Sequence, residues 1–217
     1  MNKAILFDFD GVIVDSEKAW EKYEPIGLKK LFGEIVFNKI SEFIKPGANM
    51  KMFYEKACEF GFDMEFSEFE IEYGKIANEV YANSNFSKNF FGFYNLIKEI
   101  GFRAAMVTSA PESAEGKIKE RFKVDKLFDY VLFVNNHDEL NAKPAPDGYL
   151  EALKVLGIKA ENSLVIEDSS AGIQAGKSAG IVTICLKQNH IENYVVEGAD
   201  IYVESFKDLI KLFKLLI

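Results

Sequence analysis

The run Ala4-Ile5-Leu6-Phe7-Asp8-Phe9-Asp10-Gly11-Val12 is an apolar strand that stops at two acids and a glycine. An unbroken apolar stretch of this kind suits a strand covered on both faces, the environment of a parallel sheet wound with helices. Open sheets of that type bind ligands outside the carboxyl ends of their strands, where Asp8 and Asp10 would stand. Oxygen ligands placed there can hold a hard divalent cation, and one carboxylate can serve as a nucleophile. An isolated Asp-x-Asp after a strand more often only caps a turn, so its meaning depends on the rest of the chain.

Apolar strand-like runs recur at residues 104–107, 130–134, 164–166, 181–186 and 201–203, with helical patterns between most of them. Pro111 is predicted just inside a helix start, Gly157 just past a helix end, and Ser169 ahead of a helical run over residues 171–179 that closes at Gly180. Alternating strand and helix predict an α/β fold with a Rossmann-like, doubly wound parallel sheet. No convincing strand is visible between residues 7 and 104. That interval instead carries helical stripes, the clearest being Phe66, Phe69, Tyr73, Ile76 and Val80, with others over Glu17–Phe32 and residues 49–60.

Residues 16–86 are therefore expected to form an all-helical cap subdomain inserted after the first strand. The core domain is then residues 1–15 and 87–217. Phenylalanine is abundant, with 20 in the chain, and Phe32, Phe37, Phe43, Phe53, Phe60 and Phe62 all fall in the insert. A small bundle uses large side chains to bury enough area, so these rings read as its core, with a minority left to line a cleft.

Composition narrows the function classes. At 217 residues and 48% hydrophobic content the chain can build a substantial core. A net charge of −8 without any Lys/Arg cluster argues against a nucleic-acid surface, while leaving room for a basic pocket that takes a small anion. No apolar run approaches the length of about 18 residues needed to cross a membrane, and no signal-peptide pattern opens the chain, so no membrane partner is expected. Cys58 and Cys185 lie far apart and read as reduced, buried thiols of a cytoplasmic protein, a monomer or weak homodimer.

Three further segments extend the opening acid pair. Val107-Thr108-Ser109-Ala110-Pro111 places two hydroxyls at a strand end ahead of a helix, where Thr108 and the following N–H groups could cradle a phosphate. In Asn141-Ala142-Lys143-Pro144-Ala145-Pro146-Asp147 the prolines stiffen a loop that could hold the Lys143 ammonium near clustered carboxylates. Leu164-Val165-Ile166-Glu167-Asp168-Ser169-Ser170-Ala171-Gly172 repeats the opening logic, its small residues letting the next helix start close to the sheet. His137 and His190 are isolated, so no zinc site is indicated, and each reads as a surface or turn residue.

The order acid pair, hydroxyl, lysine, acid pair resembles the haloacid dehalogenase superfamily of phosphohydrolases, in its subgroup with a helical cap after the first motif. Asp8-Phe9-Asp10-Gly11-Val12-Ile13-Val14-Asp15-Ser16-Glu17, Lys143-Pro144-Ala145-Pro146-Asp147 and Glu167-Asp168-Ser169-Ser170-Ala171-Gly172 carry the resemblance. It implies that Asp8 is the nucleophile that becomes an aspartyl phosphate. Asp10 would be the general acid and base, with its main-chain carbonyl facing a metal. Thr108 and Ser109 would bind phosphate, and Lys143 would neutralise charge between Asp8 and the phosphoryl group. Asp8, Asp10, Glu167 and Asp168 would form a Mg²⁺ site, Glu167 directly or through water. Asp15, beyond the strand end, is expected to cap the first cap helix. The implied substrate is a small phosphorylated metabolite, such as a sugar phosphate or phosphoglycolate.

Sugar-phosphate mutases of this subgroup carry an arginine for a second phosphate in a short Gly-containing turn of the cap. The corresponding stretch here is Lys45-Pro46-Gly47-Ala48-Asn49-Met50-Lys51, where Lys45 or Lys51 could offer only a point charge. A phosphatase is therefore expected ahead of a β-phosphoglucomutase-like enzyme.

Overall fold

The first apolar run pairs on both sides, and this decides the architecture. The computed structural model describes residues 2–44 and 50–215. In it β1 (Ala4–Phe7) lies parallel to two later strands. After it come β2 (Val14–Asp15) and four helices, α1 (Glu17–Phe32), α2 (Glu34–Ile40), α3 (Met50–Glu59) and α4 (Phe66–Ala82). The chain then passes β3 (Asn85–Phe86), α5 (Phe90–Glu99), β4 (Arg103–Thr108), α6 (Glu115–Phe122), α7 (Val124–Leu127) and β5 (Tyr130–Phe133). It ends with α8 (Asp147–Leu156), β6 (Ser163–Glu167), α9 (Ser170–Ser178), β7 (Val182–Leu186), β8 (Ile201–Val203) and α10 (Phe206–Lys214). The main sheet has the order β5-β4-β1-β6-β7-β8, and every pairing in it is parallel.

Strand periodicity sorts β1 between two cores. Ile5 and Phe7 face the layer containing α5, α6 and α10, whereas Ala4 and Leu6 face α8 and α9. All four are fully buried, which is why the strand reads as continuously apolar rather than alternating. Phe7 makes edge contacts with Phe90 and Phe93 of α5, so one aromatic cluster fastens that helix to the sheet.

The helices α1 to α4 build a core of their own around Leu28, Phe32, Phe53, Phe69 and Tyr73. Phe69 meets Phe32 in a stacked pair and Phe53 edge-on. The stripe on α4 thus buries Phe69, Tyr73 and Val80, with Phe66 and Ile76 packed at the margin. Phe60, at the edge of this bundle, is exposed instead of buried.

Several local expectations need correction. The interval after β1 does contain strand: β2 and β3 pair antiparallel where the chain leaves and re-enters the sheet domain. At two residues each they are too short for sequence periodicity to register. Asp15 does not cap α1 but lies in β2; the N-cap residue is Ser16, whose hydroxyl is turned toward Asp10. Pro111 is not inside an α-helix, because its ψ of 147° keeps it extended ahead of a 3₁₀ turn (Glu112–Ala114), and α6 begins only at Glu115. Cys58 is exposed and Cys185 buried; both are free thiols. Among the described residues no helix is long and apolar enough to cross a membrane.

Candidate active site

Parallel pairing brings the ends of β1, β4 and β6 together, so the three motifs and the Lys143 loop converge at one edge of the sheet. Asp8 directly follows β1 and its N–H donates to the Ile166 carbonyl at 3.0 Å, which locks it to the end of β6. Gly11 turns the chain back with φ +69°, a conformation that suits glycine. A Cβ there would stand 1.7 Å from an Asp168 carboxyl oxygen, so Gly11 is also what lets the two acid pairs approach. Gly172 does the same on the other side, since a Cβ at that position would lie 1.8 Å from Glu167 Oε1.

Lys143 is buried, and its ammonium donates to Asp8 Oδ1, to Glu167 Oε1 at 2.7 Å and to the Val107 carbonyl at 3.1 Å. Burial alone would lower its pKa. The carboxylates of Asp8 and Glu167 outweigh burial and hold the group above its ordinary value, so it stays charged. Glu167 is fully buried and fully occupied. Tyr149 donates to its Oε1 at 2.6 Å, and Oε2 accepts the N–H of Asp168 at 3.1 Å, the N–H of Ser169 at 3.3 Å and the Ser169 hydroxyl at 3.2 Å.

Oxygens of Asp8, Glu167 and Asp168 all lie within 4.8 Å of one another. This is an all-oxygen donor set of the kind that Mg²⁺ prefers, and it suits neither zinc nor a soft metal. Burial, with the neighbouring carboxyl groups, pushes Asp168 well above the ordinary carboxylate range. Asp8 is raised to about 8, by burial first and by Glu167 and Asp10 as well, against the lowering effect of Lys143. Packing acids this closely is costly without positive charge; Lys143 supplies some of it, and the three carboxyl groups could hold a metal cation as well. His190 braces the group from behind: its Nε2 lies 2.8 Å from the Asp168 carbonyl, so this histidine is a supporting partner, not an isolated surface residue.

Asp10 is not drawn into that oxygen set. Its Oδ1 accepts the Ser16 hydroxyl at 2.7 Å and Trp20 Nε1 at 2.8 Å, and its Oδ2 accepts the Tyr81 hydroxyl at 3.0 Å. Trp20 comes from α1 and Tyr81 from α4, so the inserted helices hold the Asp10 carboxyl. Burial raises the Asp10 pKa, and these three donors and Lys143 partly offset the rise.

Thr108 is buried, and its Oγ1 accepts the Ala110 N–H at 3.0 Å. Ser109 Oγ is buried without any hydrogen-bond partner, yet the residue lines the cleft beside Asp8 and Lys143. An orphaned hydroxyl at this position is a donor awaiting an acceptor. The cleft itself measures about 720 Å³ and lies between the sheet edge and α1 and α4.

The acids, hydroxyls and lysine found in the sequence are thus gathered at one site, with Asp10 set slightly apart. Trp20, Tyr81, Tyr149 and His190 were missed. Each acts through a contact with a motif residue that only folding creates, and none has a local signal.

A family model described as haloacid dehalogenase-like hydrolase matches residues 5–186. The chain belongs to the haloacid dehalogenase-like hydrolase family. It is 29% identical over 187 residues to a phosphoglycolate phosphatase of Aquifex aeolicus, covering 83% of each chain. A phosphorylated carbohydrates phosphatase of Thermotoga maritima is 27% identical over 187 residues, with 84% of this chain and 83% of that protein covered. A β-phosphoglucomutase of Clostridium difficile has the same fold, with a TM-score of 0.70, 19% identity, and 99% of this chain and 96% of that one covered. This hydrolase therefore resembles phosphatases in sequence and shares its fold with a mutase.

Proposed function

We propose that this hydrolase is a Mg²⁺-dependent phosphatase of small phosphorylated metabolites, of the sugar phosphate or phosphoglycolate class, working through an aspartyl phosphate on Asp8. The observation that carries the reading is the contact of the Lys143 ammonium with both Asp8 and Glu167, beside the orphaned Ser109 hydroxyl. A carboxylate attacking a phosphate dianion brings like charges together, so catalysis must come from positive charge and positioning. Lys143 supplies a fixed charge, and Thr108 with Ser109 supplies donors for the phosphate oxygens. Mg²⁺ bound by Asp8 and Asp168, with the Asp10 carbonyl and Glu167 completing its surroundings, would add positive charge beside the transferring group.

Asp8 attacks phosphorus, and the leaving alcohol takes a proton from Asp10. Asp10 then removes a proton from the water that cleaves the aspartyl phosphate, which returns both carboxyl groups to their starting state. The reading divides the chain into a core of residues 1–15 and 87–217 and a helical cap of residues 16–86. The two free cysteines support a reducing, cytoplasmic setting.

A phosphomutase is the second reading, favoured by Lys51 in the cleft wall. Lys45, the other cation considered for a second phosphate, lies outside the described residues. Product analysis with β-glucose 1-phosphate and a trace of the bisphosphate decides: free phosphate is expected to dominate, and faster accumulation of isomerised sugar phosphate would reverse the order. For the nucleophile, Asp8→Asn should lower turnover by about a thousandfold or more while Asp15→Asn changes it little. A folded Asp8→Asn protein with near-normal phosphate release would remove Asp8 from this role.

A further inference from the structure

The cap side of the cleft is lined with carboxylates. Glu17, Glu21 and Glu24 recur every three or four residues along α1, which puts them on one face, and Glu70 of α4 joins them across the opening. Among the described residues only Lys51 on the cap and Lys143 on the core oppose them in the cleft wall. Like charges at this spacing weaken a helix, so the row is not explained by helix stability.

Glu17 is the decisive member. It is only 9% exposed and borders the cleft together with Asp8, Asp10 and Asp168. A first-turn acid that serves only the helix N-terminus stays in water, where it costs nothing. Here, however, no described residue donates a hydrogen bond to Glu17. By contrast, Glu24 is satisfied by the Tyr73 hydroxyl at 2.5 Å. The carboxyl oxygens of Glu17 open onto the cleft, so a bound ligand can bring the donor that the protein itself does not supply. Beside it Trp20 stacks on Tyr73 with ring centroids 6.0 Å apart, and both border the cleft, offering an aromatic platform next to the acid row.

We infer that the leaving alcohol is a hydrogen-bond donor without a second anionic group, and that Glu17 reads it. The inference rests on the phosphatase reading and narrows it. Polyols and amino alcohols share this chemistry, donating hydroxyl or ammonium protons to Glu17. A carboxylate or second phosphate on the leaving group offers Glu17 no donor and adds a further anion to the acid row, so it is disfavoured. Phosphoglycolate, the substrate in the name of the Aquifex relative, belongs to the disfavoured class.

The experiment compares kcat/KM for phosphate release from p-nitrophenyl phosphate, glucose 6-phosphate, phosphoethanolamine and phosphoglycolate, with native protein, Glu17→Gln and Glu70→Gln. The better of glucose 6-phosphate and phosphoethanolamine should exceed phosphoglycolate by about tenfold or more in the native protein. That ratio should fall about tenfold in Glu17→Gln and less in Glu70→Gln, and because it is a ratio, partial unfolding does not alter it. Which of the two donors is preferred separates polyol from amine. Hydrolysis of p-nitrophenyl phosphate with phosphoglycolate as the better metabolite overturns this inference and leaves the phosphatase reading standing. An equal loss on every substrate in Glu17→Gln, with a raised Mg²⁺ requirement, assigns Glu17 to the metal and also overturns it. No release from any of the four esters overturns both.

Discussion

At the scale of single residues, charge balance in a buried space governs the site. Lys143 touches two carboxylates, and removing it leaves both buried without their cation. Lys143→Met should therefore lose turnover and also about 3–5 kcal/mol of stability in metal-free protein, measured by denaturant unfolding. Unchanged stability would mean that the two acids are held by other groups. Glu24 makes a separate prediction. Burial, the largest effect, raises its pKa to about 7, with Asp10 contributing and the Tyr73 hydroxyl opposing. A carboxyl raised in the folded state binds more protons there than in the unfolded chain. Stability then falls as pH rises from the ordinary glutamate value through about 7. Thermal melts of metal-free protein should show this decline between pH 5 and 8. Glu24→Gln, which cannot ionise, should make that decline shallower, with Asp8 contributing the same sign of dependence, and an identical slope in the variant would contradict the assignment.

At the scale of elements, α1 and α4 have two duties that pull on the same sequences. Their inner faces pack the aromatic cluster around Phe69, while Trp20 and Tyr81 reach out of that bundle to hold Asp10. Phe69 is fully buried among Phe32, Phe53 and Tyr54, so Phe69→Ala should cost about 3–5 kcal/mol. Circular dichroism during urea unfolding reads this loss. If the four-helix insert melts apart from the sheet, the transition should split in two, and a loss below about 1 kcal/mol would show that the bundle closes over the gap.

At the scale of the whole molecule, the sheet edge and the inserted helices enclose a cleft whose carboxyl groups outnumber its lysines. A divalent cation bound to the folded protein alone must raise its stability. Millimolar Mg²⁺ is expected to raise the melting temperature of the native protein and to restore turnover after chelation, whereas Asp168→Ala should blunt both effects. Full activity in chelator would contradict the metal site. Glu167→Ala should act differently, destabilising the fold more than it weakens Mg²⁺ binding, because its oxygens already accept from Lys143, Tyr149 and Ser169.

Much of this was legible in the chain itself. Apolar runs of strand length ending in acids or hydroxyls mark β1, β4 and β6, because a strand buried on both faces has no polar position until it ends. Asp8, Thr108, Lys143 and Asp168 were therefore visible as chemistry, and Phe66 to Val80 as a helix. Short-range signals failed where a residue's role depends on a distant partner. Nothing near Trp20 or Tyr81 in sequence indicates that they would donate to Asp10, and nothing near His190 indicates the Asp168 carbonyl. Asp15 and Ser16 show the same limit over one position: both are capping residue types, yet neither side chain caps α1, because Asp15 lies in β2 and the Ser16 hydroxyl donates to Asp10. Secondary structure and motif chemistry follow from local patterns of burial and from residue type. The direction of each side chain in the site, and so the acid wall facing the leaving group, follows from which elements tertiary packing sets side by side.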